Sequence, residues 1–243
     1  MPAPLLSLIL PVHNEEHRLP KALEMLAGFL DAQTYQAEIL VVENGSTDQT
    51  LVVARSYQDR MPYLKILQES ARGKGLAVRR GMLEAHGDYR MFCDVDFSMP
   101  VPEINRFIPP ELTGGDIAIA SREAQGAVRY QEPPYRHLVG RVFNTMVRWM
   151  ALPGLQDTQC GFKCFRGEVA QAVFSRQTMT GWSFDVEVLF IARRLGYRIV
   201  EVPIPWIYNP ESRIQLAQDS YRMAIDLFTI RWKGLRRQYD HPV

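Results

Sequence analysis

The sequence predicts an α/β protein built on a mostly parallel sheet. Short β-rich runs alternate with segments of helical period through the first half, and each run ends in polar residues, as a strand-to-helix turn does. The 243 residues exceed the usual ~150 of a single domain but lie within the ~250 that one α/β domain reaches. A β-α-β order requires helical crossovers, and these cover the faces of a parallel sheet.

Leu5–Val12 reads as the first strand. Glu15–Leu30 reads as a helix, because Leu19, Leu23, Leu26 and Leu30 recur at three- and four-residue spacing and Pro20 sits near the first turn, where it is tolerated. Ala37–Glu43 and Tyr63–Gln68 follow as strands, Lys74–Ala85 as a helix, Tyr89–Asp94 as a strand, and Asp116–Ala120 as a strand after the Thr113-Gly114-Gly115 turn. Glu123–Pro134 has little periodicity and holds Gly126, Pro133 and Pro134, so it reads as a mobile loop. Helices are expected at Tyr135–Met150 and Phe184–Leu195, a strand at Tyr197–Val202 and a last helix near Leu216–Arg236. No internal repeat or low-complexity tract interrupts this order.

Apolar residues at 47% and charged residues at 23% exclude wholesale disorder, collagen and coiled coil. With 28 Lys+Arg against 27 Asp+Glu, the net charge of +1 provides no field that draws the chain to nucleic acid. Cys93, Cys160 and Cys164 are too few for a disulfide framework and lack a second pair for zinc, so they are expected as packing residues in a reducing compartment. Leu5–Val12 lacks the basic leader of a signal peptide, and no run approaches the ~18–20 apolar residues of a membrane span. A cytoplasmic protein, soluble or resting on the membrane face, is the expectation.

Ligands of open α/β sheets sit beyond the carboxyl ends of the strands. There the sequence places His13-Asn14-Glu15-Glu16, Glu43-Asn44-Gly45-Ser46-Thr47-Asp48 and Asp94-Val95-Asp96. The second group serves equally well as a turn and helix cap. Three acidic clusters at neighbouring strand ends repel one another unless a cation or donor offsets them. Asp94 and Asp96, at alternate positions, suit a hard cation such as Mg²⁺, which takes one or two carboxylates plus phosphate and water; the alternative is a loop with two solvated aspartates. Arg72-Gly73-Lys74-Gly75 opens a helix with flexible backbone and two cations, a natural anion site without P-loop spacing.

In this order the motifs resemble those of inverting family-2 glycosyltransferases of the GT-A fold. Pro11-Val12-His13-Asn14-Glu15 is similar to the family's opening P-x-x-N-E, Val41–Thr50 to its V-V-D-D-G-S-x-D-x-T, and Asp94-Val95-Asp96 to its D-x-D. Arg72–Arg79, Ser121-Arg122, Asp157–Lys163 and Trp182-x-Phe184-Asp185-x-Glu187 resemble the dolichyl-phosphate glucosyltransferase and polyprenyl-phosphate hexosyltransferase branch. The likeness runs from Leu5 to about Arg237 and implies a Rossmann-like GT-A domain. Residues 1–121 would form its nucleotide-sugar half, 122–214 its acceptor half, and 215–243 an amphipathic helix and tail.

The resemblance implies that Pro11, His13 and Glu15 frame the nucleoside, with Glu43 near the base and ribose. Lys74, Val95 and Arg213 would join the donor site, and Asp94 and Asp96 would hold Mg²⁺ or Mn²⁺ against the diphosphate. The family's usual Asp-Asp is Glu43-Asn44 here, which alters the base contact. Ser121, Arg122, Arg136 and Asn144 would surround an acceptor phosphate, and Gly140 stands where relatives often carry a hydroxyl. Asp157 would orient the acceptor or stabilise the sugar cation; Asp96 and Asp185 are the other catalytic candidates, and Asp185 and Glu187 alternatively brace Trp182 in the acceptor wall.

The last helix carries the stripes Met223/Leu227/Ile230 and Tyr221/Ile225/Phe228/Trp232, then Arg231, Lys233, Arg236 and Arg237, which suit either a core or an anionic membrane surface. The expected reaction is metal-dependent, inverting transfer of a hexose from UDP-glucose or GDP-mannose to polyprenyl or dolichyl phosphate. A soluble hydroxyl acceptor and a non-catalytic nucleotide-sugar-binding module are the alternatives.

Overall fold

The computed structural model describes residues 3–210 and 216–243. Its elements run β1 (Leu6–Val12), α1 (Leu19–Asp31), β2 (Ala37–Asn44), α2 (Thr50–Ser56), β3 (Leu64–Glu69), α3 (Lys74–Glu84), β4 (Tyr89–Cys93), a 3-10 helix (Val101–Phe107) and β5 (Ile117–Ser121). The second half adds β6 (Val128–Tyr130), α4 (Pro134–Met150), β7 (Phe162–Arg166), α5 (Gly167–Phe174), α6 (Phe184–Arg194), β8 (Ile199–Pro203), β9 (Pro205–Ile207) and α7 (Leu216–Leu235).

Seven strands form one sheet in the order β3-β2-β1-β4-β7-β5-β8. Its pairings are parallel except those of β7, which runs antiparallel to both β4 and β5. Strand side chains alternate between the two faces, so each strand feeds two cores. Ile9, Leu40 and Val42 pack with Ala77, Val78 and Met82 of α3. Leu8, Leu10, Ile39 and Val41 pack with Leu19, Leu23 and Leu26 of α1 on the other side. Covered on both faces, β1 and β2 read as nearly continuous apolar runs, as buried parallel strands do.

Most expected elements are present within one or two residues, and the departures have local causes. Helix α1 begins at Leu19 rather than Glu15. The residues before it are tied to the loop after β2: Asn14 N–H donates to Ser46 Oγ (3.0 Å), Glu15 N–H to Thr50 Oγ1 (2.7 Å) and Glu16 N–H to Asp48 Oδ2 (3.2 Å). The segment Glu123–Pro134 is not a plain loop. It contains β6, whose register Arg129↔Trp206 pairs it in parallel with β9. Strand β7 and helix α5 also lie where no element was expected, since Asp157–Lys163 was read as motif rather than structure.

The three cysteines are free and buried, as packing residues are, and burial pushes the Cys160 thiol up to about 12. Helix α7 divides its two stripes: Leu227 and Ile230 are buried, with Met223 packed beside them, whereas Ile225, Phe228 and Trp232 are exposed. Arg213 and the side chain of Tyr221 lie outside the described residues.

Gly81 sets the distance between α3 and the sheet, because a Cβ there would lie 2.4 Å from Ile9 Cγ2 and 2.9 Å from Val42 Cγ2. Alanine is the better helix former by about 1 kcal/mol, but overpacking costs about 1–3 kcal/mol. Gly81→Ala is therefore expected to lower the midpoint of urea unfolding; an unchanged or raised midpoint contradicts this packing.

Candidate functional site

A cavity of about 220 Å³ opens beyond the carboxyl end of β4. Of the expected site residues it gathers Lys74, Asp94, Asp96, Arg122, Arg136, Asn144 and Asp185, together with Trp182. Pro11, His13, Glu15 and Glu43, expected to serve the donor, sit on β1, β2 and the turn after β1, outside the cavity lining.

Asp94 follows the last residue of β4, and its backbone N–H donates to Gly161 O (3.1 Å). A Cβ at position 161 would lie 1.9 Å from Asp94 Oδ2, so glycine is required for the carboxylate to occupy this place. Lys74 Nζ sits 2.5 Å from Asp94 Oδ1 and 5.2 Å from the centre of the Trp182 ring. Burial opposes the charge of Lys74, but Asp94 and Asp185 outweigh it and raise its pKa. Asp96 Oδ1 accepts the Ser98 N–H (3.1 Å), and burial followed by the charge of Asp94 raises the pKa of Asp96. Among the described residues, no group of three or more His, Cys, Asp and Glu is arranged to hold a metal. Two carboxylates alone match the donor set of Mg²⁺ or Mn²⁺ when phosphate oxygens and water complete the shell.

The glycine-rich helix start does not work as the free anion nest that was expected. Gly73 N–H donates to Asn44 Oδ1 (2.7 Å), and Gly75 N–H to Thr180 O (2.9 Å). The glycines instead permit close packing, since a Cβ at Gly73 would lie 2.5 Å from Thr180 O. The structure also accounts for Asn44. Its Nδ2 donates to Ala71 O (2.6 Å) while its Oδ1 accepts from Gly73, a combination that an aspartate carboxylate lacks. Glu43 is buried and its Oε1 accepts the Ser46 N–H (2.5 Å), capping the turn. His13 Nδ1 lies 2.8 Å from Asn44 O, and Glu15 holds Arg18 through two bonds of 2.6 and 2.7 Å. Val95 is buried among apolar residues.

Among the residues expected around an acceptor phosphate, Arg122 grips Asp157 through Nε to Oδ2 (2.6 Å) and Nη2 to Oδ1 (2.9 Å), and its backbone N–H adds a bond of 3.0 Å. Asp157 has no exposed surface. Burial alone would raise its pKa, but the Arg122 charge and hydrogen bonds dominate and hold it well below the usual carboxylate range. Glu201 on β8 fixes the same loop by accepting the N–H groups of Gln156 and Asp157, both at 2.9 Å. Asp157 thus stands behind Arg122 and outside the cavity lining, whereas the sequence led it to be expected at the reacting centre.

Ser121, expected beside an acceptor phosphate, is buried and outside the cavity lining, and its hydroxyl accepts the Ala124 N–H (3.0 Å). Arg136 donates to Tyr208 Oη (2.9 Å) and lies 5.3 Å from the centre of that ring. Gly140, on the same helix, faces open space. Asn144 is 5% exposed, and its Oδ1 has no partner.

Asp185 lines the cavity floor but is engaged by Lys163, whose Nζ lies 2.5 Å from Asp185 Oδ1 and 2.7 Å from Cys160 O. Burial outweighs both Lys163 and Lys74 there and raises the Asp185 pKa. This pairing ties β7 to α6. Glu187 accepts the N–H groups of Thr178 (2.9 Å) and Met179 (2.7 Å) and the Tyr239 hydroxyl (2.9 Å), which anchors the segment leading to Trp182.

Arg129 and Trp206 line the cavity and were not expected there. Arg122 and Arg129 lie 5.3 and 5.8 Å from the centre of the Trp206 ring. Arg129 is fixed by Glu123 (2.6 Å) and Glu132 (2.5 Å). The alternation Val128-Arg129-Tyr130 was the available signal, too short to stand apart from a loop.

The Arg122–Asp157 pair predicts how stability depends on acid. An aspartate whose pKa is depressed by folding adds stability above its unfolded value of about 3.9, and this is lost as pH falls toward the folded value. Asp157→Asn should cost about 3 kcal/mol at pH 7, since it leaves Arg122 without its counter-charge. It should also flatten the decline of stability below pH 4. Urea unfolding at several pH values checks both, and an equally steep decline in the variant contradicts the pairing.

Comparison with known proteins places this geometry. Residues 7–174 match the sequence profile of glycosyl transferase family 2. The chain is 32% identical over 246 residues to the dolichyl-phosphate beta-glucosyltransferase of Dictyostelium discoideum, covering 95% of this chain and 75% of that protein. It is 30% identical to the enzyme of the same name from Homo sapiens, covering 96% and 77%. Among solved structures, glucosyl-3-phosphoglycerate synthase from Mycobacterium tuberculosis in complex with uridine diphosphate superposes with a TM-score of 0.67 at 19% identity, over 99% of this chain and 82% of that one. The same enzyme with Mn²⁺, UDP-glucose and phosphoglyceric acid gives 0.64 at 18% identity, over 99% and 81%. These likenesses share the GT-A architecture seen here, and the profile spans both the strand-end loops and the Asp94/Asp96 pair: the chain belongs to glycosyltransferase family 2.

Proposed function

We propose that this glycosyltransferase moves glucose from UDP-glucose to a dolichyl or other polyprenyl phosphate, with inversion at the sugar carbon. The observation that carries the proposal is one cavity lined by two unlike sets of side chains, Asp94 and Asp96 in one and Arg122, Arg136 and Asn144, whose Oδ1 has no partner, in the other. The first set suits a cation-bridged diphosphate and the second an acceptor phosphate. The names of the relatives support the same donor and acceptor. In this reading residues 1–121 serve the donor, 122–214 the acceptor and 215–243 the surface.

The disposition of the acids fits a phosphate nucleophile. A hydroxyl acceptor needs a base, yet Asp157 and Asp185 are both engaged by cations. A phosphate oxygen is already anionic near neutral pH, so the task left to the protein is to aim it. Arg122, locked by Asp157 and laid over Trp206, and Arg136, held by Tyr208, would fix the phosphate so that one oxygen faces the sugar carbon opposite the departing diphosphate. Lys74 adds a positive charge on the donor side. Asp94 and Asp96 would hold Mg²⁺ or Mn²⁺, which offsets the charge that builds on the leaving group.

No helix among the described residues is long and apolar enough to cross a membrane. We place the enzyme on the cytoplasmic face of a membrane through α7, aided by α4. Ile225, Phe228, Trp232 and Leu235 of α7 are exposed, as are Leu138, Val142 and Trp149 of α4. Helix α4 carries no acidic residue and α7 leads into Arg236 and Arg237, so each basic side chain is expected to add about 1 kcal/mol at an anionic surface.

Two experiments test these readings. Purified protein, assayed with UDP-glucose or GDP-mannose, Mn²⁺ and a short polyprenyl phosphate, should transfer sugar from UDP-glucose; Asp96→Asn should abolish transfer with its melting temperature retained, and Arg136→Ala should raise the acceptor KM at least tenfold. Full activity of Asp96→Asn, or transfer only to a hydroxyl compound, overturns the assignment. Flotation with phosphatidylserine vesicles should recover the wild type but not a Trp149→Ser/Phe228→Ser variant, whose transfer to a detergent-dispersed acceptor should persist; equal flotation of both removes the membrane role of these helices.

A further inference from the structure

Lys74 occupies a place that the donor-site reading does not explain. Its ammonium is not directed into open cavity space to await a phosphate; it lies 2.5 Å from Asp94 Oδ1, one of the few oxygens available to a divalent ion. Asp94 is anchored by the bond from its backbone N–H to Gly161 O, and its Oδ2 lies against the bare Cα of that glycine. Among the described residues no third metal-ligating side chain joins Asp94 and Asp96. An ammonium and a divalent ion on the same carboxylate repel each other. The aromatic face of Trp182, 5.2 Å from the Lys74 nitrogen, and the nearby negative charge of Asp185 provide surroundings in which the ammonium remains accommodated once it leaves Asp94.

We infer that Lys74 is a resident counter-cation of Asp94 which the donor diphosphate draws away, so that the divalent ion gains Asp94 only when the nucleotide is present. The inference rests on the reading of Asp94 and Asp96 as the metal and diphosphate site, and it adds that metal and nucleotide binding are coupled through one lysine. Coupling of this kind is reciprocal, so the nucleotide tightens the metal by the same factor as the metal tightens the nucleotide. The reacting centre is then assembled in one step, and the ion by itself is held weakly.

The test reads metal binding rather than turnover. Electron paramagnetic resonance of free Mn²⁺ gives the affinity of the wild type for the ion alone, and calorimetry gives the affinity for UDP with and without Mn²⁺. Lys74→Met should bind Mn²⁺ alone at least about tenfold more tightly than the wild type, and the factor by which Mn²⁺ tightens UDP should shrink. Lys74→Gln, which keeps a polar tip beside Trp182, should behave the same way, and Lys74→Arg should retain wild-type behaviour; thermal melting verifies that each variant is folded. Unchanged or weaker Mn²⁺ binding by both neutral variants, with Mn²⁺ still tightening UDP in all proteins, overturns the role of Lys74 and leaves the donor site standing. Failure of the wild type to bind UDP with Mn²⁺ at all removes the donor site and this inference together.

Discussion

Around the cavity three carboxylates are each held by a cation of their own: Asp94 by Lys74, Asp185 by Lys163 and Asp157 by Arg122. Like charges so close together at the end of a sheet repel, and burial adds to the cost of each. Each pairing offsets part of that cost. Pairing also sets the acids apart, because Asp157, buried behind Arg122, keeps its charge in place against that arginine, whereas Asp96, raised by burial and by Asp94, stands at the cavity with only the Ser98 turn bonded to it in the described structure.

The framework that carries these pairs extends well beyond them. The wall segment from Thr178 to Trp182 is held on one side by Gly75 through Thr180 O, and on the other by Glu187, Tyr239 and Lys233, which donates to Thr178 Oγ1 at 2.6 Å. Two residues of the tail region therefore help shape the cavity from a distance. Asn44 performs a similar service for the loop before α3, and its amide explains why the departure from the family's usual aspartate is compatible with an ordered rim.

Much of the parallel half was legible in the sequence because its signals are local. Leu19, Leu23 and Leu26 mark a helix by spacing alone, and the polar clusters after β1, β2 and β4 fall where ligands of such sheets bind. The less legible parts depend on distant partners. Strand β6 exists because Val128–Tyr130 meets Pro205–Ile207, and β7 because Phe162–Arg166 fits between two strands far away in the chain. The same limit applies to the site: Asp94, Asp157 and Asp185 look alike as letters, and only their neighbours distinguish a carboxylate that faces the cavity from one that stands behind an arginine. The bond that the Ser121 hydroxyl accepts from the following turn was likewise invisible in the sequence.

The antiparallel strand β7 lies between β4, which leads into Asp94, and β5, which leads into Arg122. The two halves of the chain are consequently stitched into a single sheet by two ladders of backbone hydrogen bonds. A jaw-like opening between the strand that leads into Asp94 and the one that leads into Arg122 would tear those ladders, so the sheet resists a hinge there and leaves adjustment to the loops beyond the strand ends.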